Sequence, residues 1–251
     1  MKTKIYLLGI SFLSAFALHA QQFISKAVIE YEVKANIKKT LGNNIFDEMR
    51  RDALPTFKTG YYTFTFADNK SIYKFDHWDP ALKIPEYLKK SDEENIWYYD
   101  YNTGKFNMQK NFFGTNLNAE DSIPTLEWKL TNENRSIAGF NCRKAVAKIF
   151  DSVYVFAFYT DEILISGGPC SINGLPGMIL GVTIPRLFTS WIATKVSVTG
   201  VNENIIKPVA VKKNFNMKSL KSLVDDRFKD WRTKDNEEMQ QKNRTIWAIL
   251  L

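Results

Sequence analysis

Short alternating runs of apolar and polar positions dominate the first two thirds of the chain. Val28 to Lys34 (VIEYEVK) alternates strictly and reads as an opening strand. Tyr62, Phe64 and Phe66 point one way while Thr63 and Thr65 point the other. Ala67-Asp68-Asn69-Lys70 has the composition of a turn, and Ser71 to Phe75 returns as a second strand. Trp97 to Tyr101, a turn at Asn102-Thr103-Gly104, and Lys105 to Lys110 form another hairpin. Further strands are predicted over Glu127 to Thr131, Asn141 to Ile149, Val153 to Tyr159, Met178 to Val182 and Trp191 to Val198. In the segment after Cys142, Ala145, Ala147 and Ile149 share a face opposite Lys144 and Lys148, which predicts one buried side and one wet side. Val153 to Tyr159 is apolar on both faces, which predicts cover on both sides or an enclosed concavity.

The period changes twice. Thr40 to Leu54 is rich in helix formers, with Leu41, Ile45 and Met49 four apart, and Pro55 ends it. From Met217 to Arg244 the apolar positions Leu220, Leu223, Val224, Phe228 and Trp231 recur at three- and four-residue spacings. That predicts a long C-terminal amphipathic helix. Its apolar stripe needs a partner, and the aromatic sheet is available. The terminal stretch Thr245 to Leu251 is too apolar for a free tail and should be tucked in. The expected fold class is mainly β with an α cover: a curved antiparallel sheet, bowl-like or half-barrel, with helices at 40–54 and at the C-terminus. No repeat or linker divides the chain, so residues 21–251 read as a single domain.

Residues 1–22 add an address. Lys2 and Lys4 precede the apolar run Ile5 to Leu18, which is too short to span a bilayer, so residues 1–20 read as a secretory signal peptide. Cleavage after Ala20 leaves Gln21, and Ala17 is the competing site. The protein is therefore expected in the periplasm, at the cell surface or secreted, with no transmembrane segment in the mature chain. Among 251 residues, 12 glycines and 8 prolines are too few for a fibrous or disordered chain. The net charge of +7 falls to +5 once Lys2 and Lys4 are removed. Its basic residues are interleaved with acids, as in Lys218 to Glu238, so no nucleic-acid partner is expected.

The chemistry on offer is sparse. Two cysteines, Cys142 and Cys170, are an even pair in an exported chain and suit a disulfide, with two reduced thiols as the alternative. His77, in Asp76-His77-Trp78-Asp79, is the one histidine left after cleavage and a poor offer for a zinc site. The neighbouring acids Asp161 and Glu162 read as strand-end charges, since adjacent positions in a strand point opposite ways. Tyr62, Trp97, Tyr99, Phe156 and Phe158 are the residues expected to line a ligand pocket.

One segment is distinctive. In Gly174-Leu175-Pro176-Gly177, Pro176 fixes φ and Gly177 accepts a positive φ, predicting a type II turn through Met178. Gly174-Leu175-Pro176-Gly177-Met178-Ile179-Leu180 resembles the GLPGLI family, secreted proteins found mainly in Bacteroidota. The resemblance extends to Trp128-Lys129-Leu130-Thr131, to Ile137 through Ala145, and to Ala157 through Ile163. Phe158 stands where the family often has Trp, and Met178 replaces the motif's second Leu. The resemblance implies a β-rich, bowl-like or half-barrel envelope domain, similar to a module that precedes the catalytic part of certain secreted peptide N-glycanases. It implies no reaction, no cofactor and no catalytic residue. The expected function is a non-enzymatic envelope protein that binds an apolar, peptide or glycan ligand or an outer-membrane partner. A hydrolase built on His77 and nearby acids, and a purely structural interaction module, are the alternatives.

Overall fold

The computed structural model describes residues 24–42, 45–112, 114–210 and 215–251. The signal-peptide reading of residues 1–20 lies outside them. Eleven strands form one antiparallel sheet in the order β6-β5-β4-β3-β2-β1-β11-β10-β9-β8-β7. The chain runs outward from the middle through β1 (Ala27–Asn36), β2 (Phe57–Ala67), β3 (Lys70–Trp78), β4 (Ile96–Asp100), β5 (Lys105–Phe112) and β6 (Thr115–Ser122). It then crosses to the opposite edge. From there β7 (Lys129–Ile137), β8 (Phe140–Ile149), β9 (Val153–Thr160), β10 (Met178–Ile184) and β11 (Thr189–Ser197) return to pair with β1.

The turns are as local as the composition suggests. Asp68 and Asn69 take φ of 49° and 59°, the geometry that matches strand twist in a tight hairpin. Register shifts at Glu30/Tyr31, Tyr61/Tyr62 and Ile179/Gly181 act as bulges that bend the sheet. The sheet is curved but not closed. Its concave face carries an aromatic row: Tyr62 stacks on Tyr73 at 5.3 Å, and Tyr73 packs on Trp97 at 5.4 Å. A smaller convex cluster joins Ala67, Ile72 and Tyr98 under Ile206.

Helices cover the mouth. α1 (Ile45–Ala53) and α2 (Glu86–Glu93) lie in the β1–β2 and β3–β4 connections. Ile45 and Met49 of α1 are nevertheless exposed, at 73% and 74%, while Asp47 is buried and accepts from the Gly42 N–H at 2.9 Å. The spacing therefore foretold the helix but not the face it turns inward. The C-terminal helix comes as two pieces, α3 (Met217–Phe228) and α4 (Asn236–Leu250). Asp235 accounts for the break: its carboxylate accepts from the Glu238 N–H at 2.8 Å and so starts a new helix. The break lets α4 turn its end into the bowl, where Ile249, Leu250 and Leu251 are buried. The Trp97 indole N–H donates to the Leu251 carbonyl at 3.2 Å.

The outer face of β9 differs from expectation. Tyr154 is 56% exposed, and Phe156 and Phe158 are only half-buried. Among the described residues, no second layer covers them. Lys144 lies over the Phe156 ring at 5.3 Å and Arg135 over Phe158 at 5.9 Å, so the stems of basic side chains shield this face.

Candidate functional site

Residues 161–177, between β9 and β10, fold back into the bowl, leaving Asp161, Glu162, Leu164, Gly174 and Pro176 at the surface. Ile163, Ile172 and Leu175 are all but fully buried there. Hydrogen bonds from the sheet hold this plug. The Tyr99 hydroxyl donates to the Cys170 carbonyl at 2.9 Å, and the Trp128 indole donates to the Asn173 carbonyl at 2.9 Å. The Tyr31 hydroxyl donates to the Ile179 carbonyl just beyond. Leu175 to Met178 does not close as a type II turn. The Gly177 N–H turns back to the Leu175 carbonyl at 2.8 Å, and the Met178 N–H instead reaches the Ile163 carbonyl at 3.0 Å. Docking against the end of β9 supplies the partner that an isolated turn would have found within itself. Of the four motif residues, Leu175 and Gly177 are interior filling, while Gly174 and Pro176 stay at the surface. None of them lines a cavity.

Above the plug lies a cavity of about 900 Å³ that opens at the mouth of the bowl. Inward-facing residues of the central strands form its wall, among them Val33, Tyr62, Trp97 and Trp191. Leu187 and the end of α4 close another side, and Leu54, just past α1, and Leu88 of α2 complete the lining. The volume lies within the range of roughly 300–1,000 Å³ typical of small-molecule sites.

Of the residues expected to line a pocket, Tyr62 and Trp97 do so. Tyr99 lies deeper, 1% exposed, under the plug. Phe156 and Phe158 face outward on β9, on the far side of the sheet from this space. Strand alternation sets this: Val153, Val155 and Ala157 take the inward side of β9, so Phe156 and Phe158 fall on the other.

The expected Cys142–Cys170 disulfide is absent: both cysteines are buried free thiols. Cys142 sits near the β7–β8 turn, its thiol directed at the Phe140 carbonyl at 3.6 Å. Cys170 is carried by the plug to the cavity floor. The even count carries no information on the path of the chain, which after β9 takes Cys170 inside the bowl. Burial raises both thiols, to about 11 for Cys142 and about 12 for Cys170, so both stay protonated at neutral pH. The Tyr73 hydroxyl lies against Cys170 without a regular hydrogen bond.

The cavity also holds charges that the sequence reading did not single out. Arg50, Lys58, Lys90, Lys110 and Arg244 line it against one acidic side chain, Asp92. Lys58 is paired with Asp92 at 2.7 Å, and Lys90 lies 3.9 Å from Glu94. Lys110 stands over the Trp97 ring at 4.8 Å. Burial pushes its ammonium below the ordinary lysine range, with Cys170 and Asp92 opposing the shift and Lys58 reinforcing it. Arg244 lies over the Phe188 ring at 5.5 Å, its Nε buried without a hydrogen-bond partner. Parity was the available signal for Lys110. It continues the inward series Phe106, Met108 on β5, both buried.

His77 is outside the cavity. It bonds Asp76 at 2.7 Å and stacks on Tyr61 at 4.6 Å on the exposed side of the sheet. Asp161 pairs with Arg143 at 2.6 Å, as strand-end charges do. Among the described residues, no three His, Cys, Asp or Glu side chains are grouped to hold a metal, and no helix is long and apolar enough to cross a membrane.

No protein-family model matches the chain, and no curated protein matches it. Solved structures do. A structure of PNGF-II in the P21 space group is similar, with a TM-score of 0.50 and 15% identity over 79% of this chain. A second PNGF-II structure, in the C2 space group, gives a TM-score of 0.46 and 15% identity over 88% of this chain. The chain spans about a third of the length of the PNGF-II chain, 33% and 32% in the two cases. At this identity the first likeness speaks for the fold alone.

Proposed function

We propose that this protein is an exported, non-enzymatic binding protein of the cell envelope that takes a predominantly apolar small molecule into the mouth of its bowl. The half-lined cavity of about 900 Å³ carries the reading. A fold that packs Ile163, Ile172 and Leu175 into its interior still keeps this space open at the mouth. Apolar walls with a few polar groups are what small-molecule sites have in common. The address rests on Lys2, Lys4 and the apolar run to Leu18, and on the resemblance of Gly174 to Leu180 to the GLPGLI family.

Two measurements test it. The mature chain should be recovered from the envelope or the medium, beginning at Gln21. It should bind a neutral solvatochromic dye at one site. Ala35 faces the cavity from β1, and Ala35→Trp should fill part of the space and weaken the dye at least about tenfold while leaving circular dichroism unchanged. A chain retained in the cytoplasm would remove the address. Dye binding that Ala35→Trp leaves intact would remove the site.

A further inference from the structure

We infer that the ligand is a long-chain carboxylate whose head is held by Lys110 above Trp97, with its hydrocarbon body along the apolar wall; this rests on the proposed binding role of the cavity. Charge complementarity is the first ground. Five basic side chains against one acid make the space unfavourable for a cation and favourable for an anion. Within that set most cations already have partners. Asp92 holds Lys58, and Glu94 lies near Lys90. Arg50 has an interaction of its own. Among the described residues Lys110 has the Trp97 ring face but neither a carboxylate nor a carbonyl, although it is half-buried. Three ammonium donors facing a largely apolar wall are costly to leave unmatched. An entering carboxylate satisfies them by charge-assisted hydrogen bonds, among the stronger kinds available in a protein.

The second ground is what the remaining lining offers. A glycan or peptide would bury many polar atoms and would need a partner for each. Three of the cavity's five hydroxyls are already spent on backbone, Thr40 on the Ile37 carbonyl, Thr189 on Leu187 and Thr245 on Gln241, which leaves those of Tyr62 and Ser91. Asn111 donates to Glu94 and Asn116, and Gln241 to Thr40 and Asp47. A ligand with one charged end and no other polar groups fits this inventory. A head group on Lys110 would sit against the cavity floor near Cys170, and the chain would run past Val33 and Leu187 toward the mouth. Arg244, on the α4 side, is the second cation without a full set of partners.

Palmitate and its neutral isostere cetyl alcohol separate the two layers of the argument. Titration calorimetry on the wild type should show palmitate binding at least about tenfold more tightly than the alcohol. In Lys110→Met that preference should vanish while the alcohol binds as before. Removing a buried charge for an apolar chain of similar length leaves the fold intact. Should Lys110→Met nevertheless misfold, Lys110→Gln serves in its place. In Arg244→Met the preference should persist. Equal binding of both probes to the wild type, or a preference that survives Lys110→Met, overturns the carboxylate anchor and leaves the cavity a ligand site. Binding of neither probe, together with no dye binding, overturns the binding role itself.

Discussion

Above about pH 10 the protein is expected to unfold cooperatively, and the tyrosines are the cause. Tyr31, Tyr62, Tyr73 and Tyr99 are buried on the concave face, and burial lifts each phenol well above the ordinary value of 10.0. Tyr101 is raised in the same way. A group whose folded pKa exceeds its unfolded pKa contributes stability that is fully present below the unfolded value. That contribution is lost as pH climbs toward the folded value. Each such tyrosine therefore removes about 1.4 kcal/mol at about pH 11, because the unfolded chain releases the proton and the folded chain does not. Five together remove about 7 kcal/mol, against a typical total of 5–15 kcal/mol for a folded domain. Cys142 and Cys170, raised to about 11 and about 12 from 9.0, add to the loss and begin it earlier. Lys110 acts in the opposite sense, since its pKa is lowered, but it is one group against seven.

The measurement is tyrosinate absorbance and far-ultraviolet circular dichroism followed together as pH rises. A first group of phenols should ionise with the fold intact. A second group should appear only as the dichroism collapses. Smooth titration of Tyr31, Tyr62, Tyr73, Tyr99 and Tyr101 near pH 10 with the sheet retained would show that the concave row is open to solvent.

That row was legible beforehand because it is made of alternating strands. Tyr62, Phe64 and Phe66 announce their shared face, and the strands read from such runs are all found. β6 was missed for the converse reason. Its sequence, TNLNAEDS, carries only Leu117 and Ala119 inward. It is held as a strand by pairing with β5 and by the Phe215 backbone along its free edge. Tertiary context, not propensity, makes it a strand. The plug was illegible for a different reason. Gly167, Gly168, Pro169, Gly174, Pro176 and Gly177 are turn residues, and turn residues ordinarily mark surface. Nothing local says that Ile163, Ile172 and Leu175 are to be enclosed by strands far away in sequence. The site inherits this gap, since its floor is Cys170, which reaches the cavity only because the plug goes inward. Lys110 was recoverable from parity alone, but a lysine in an alternating run ordinarily faces water. The bowl reverses that expectation at one position.

The plug's dependence on backbone contact makes Gly177→Ala the substitution expected to damage the fold most. Gly177 has a φ of +143°, outside the range L side chains commonly adopt. A Cβ built there would stand 2.1 Å from the Thr160 carbonyl oxygen and 2.8 Å from its carbon. Those atoms belong to the end of β9, where Thr160 pairs with Met178, so neither side can swing away as a flexible side chain would. Relief requires that β9 and the plug separate, and the plug's buried residues then lose their seat. The expected cost is about 4 kcal/mol or more, in the range reserved for strain and core disruption. Gly139→Ala supplies the control. Its φ is +87°, but nothing lies within 4 Å of the added methyl. It should therefore cost only the conformational penalty, about 1 kcal/mol. Urea unfolding of the two variants, compared at equal slope, reads the difference. Gly177→Ala unfolding at the same urea concentration as Gly139→Ala would mean that β9 and the plug do not meet as closely as described. Failure to recover Gly177→Ala as a folded protein, beside a well-behaved Gly139→Ala, would be the stronger form of the expected result.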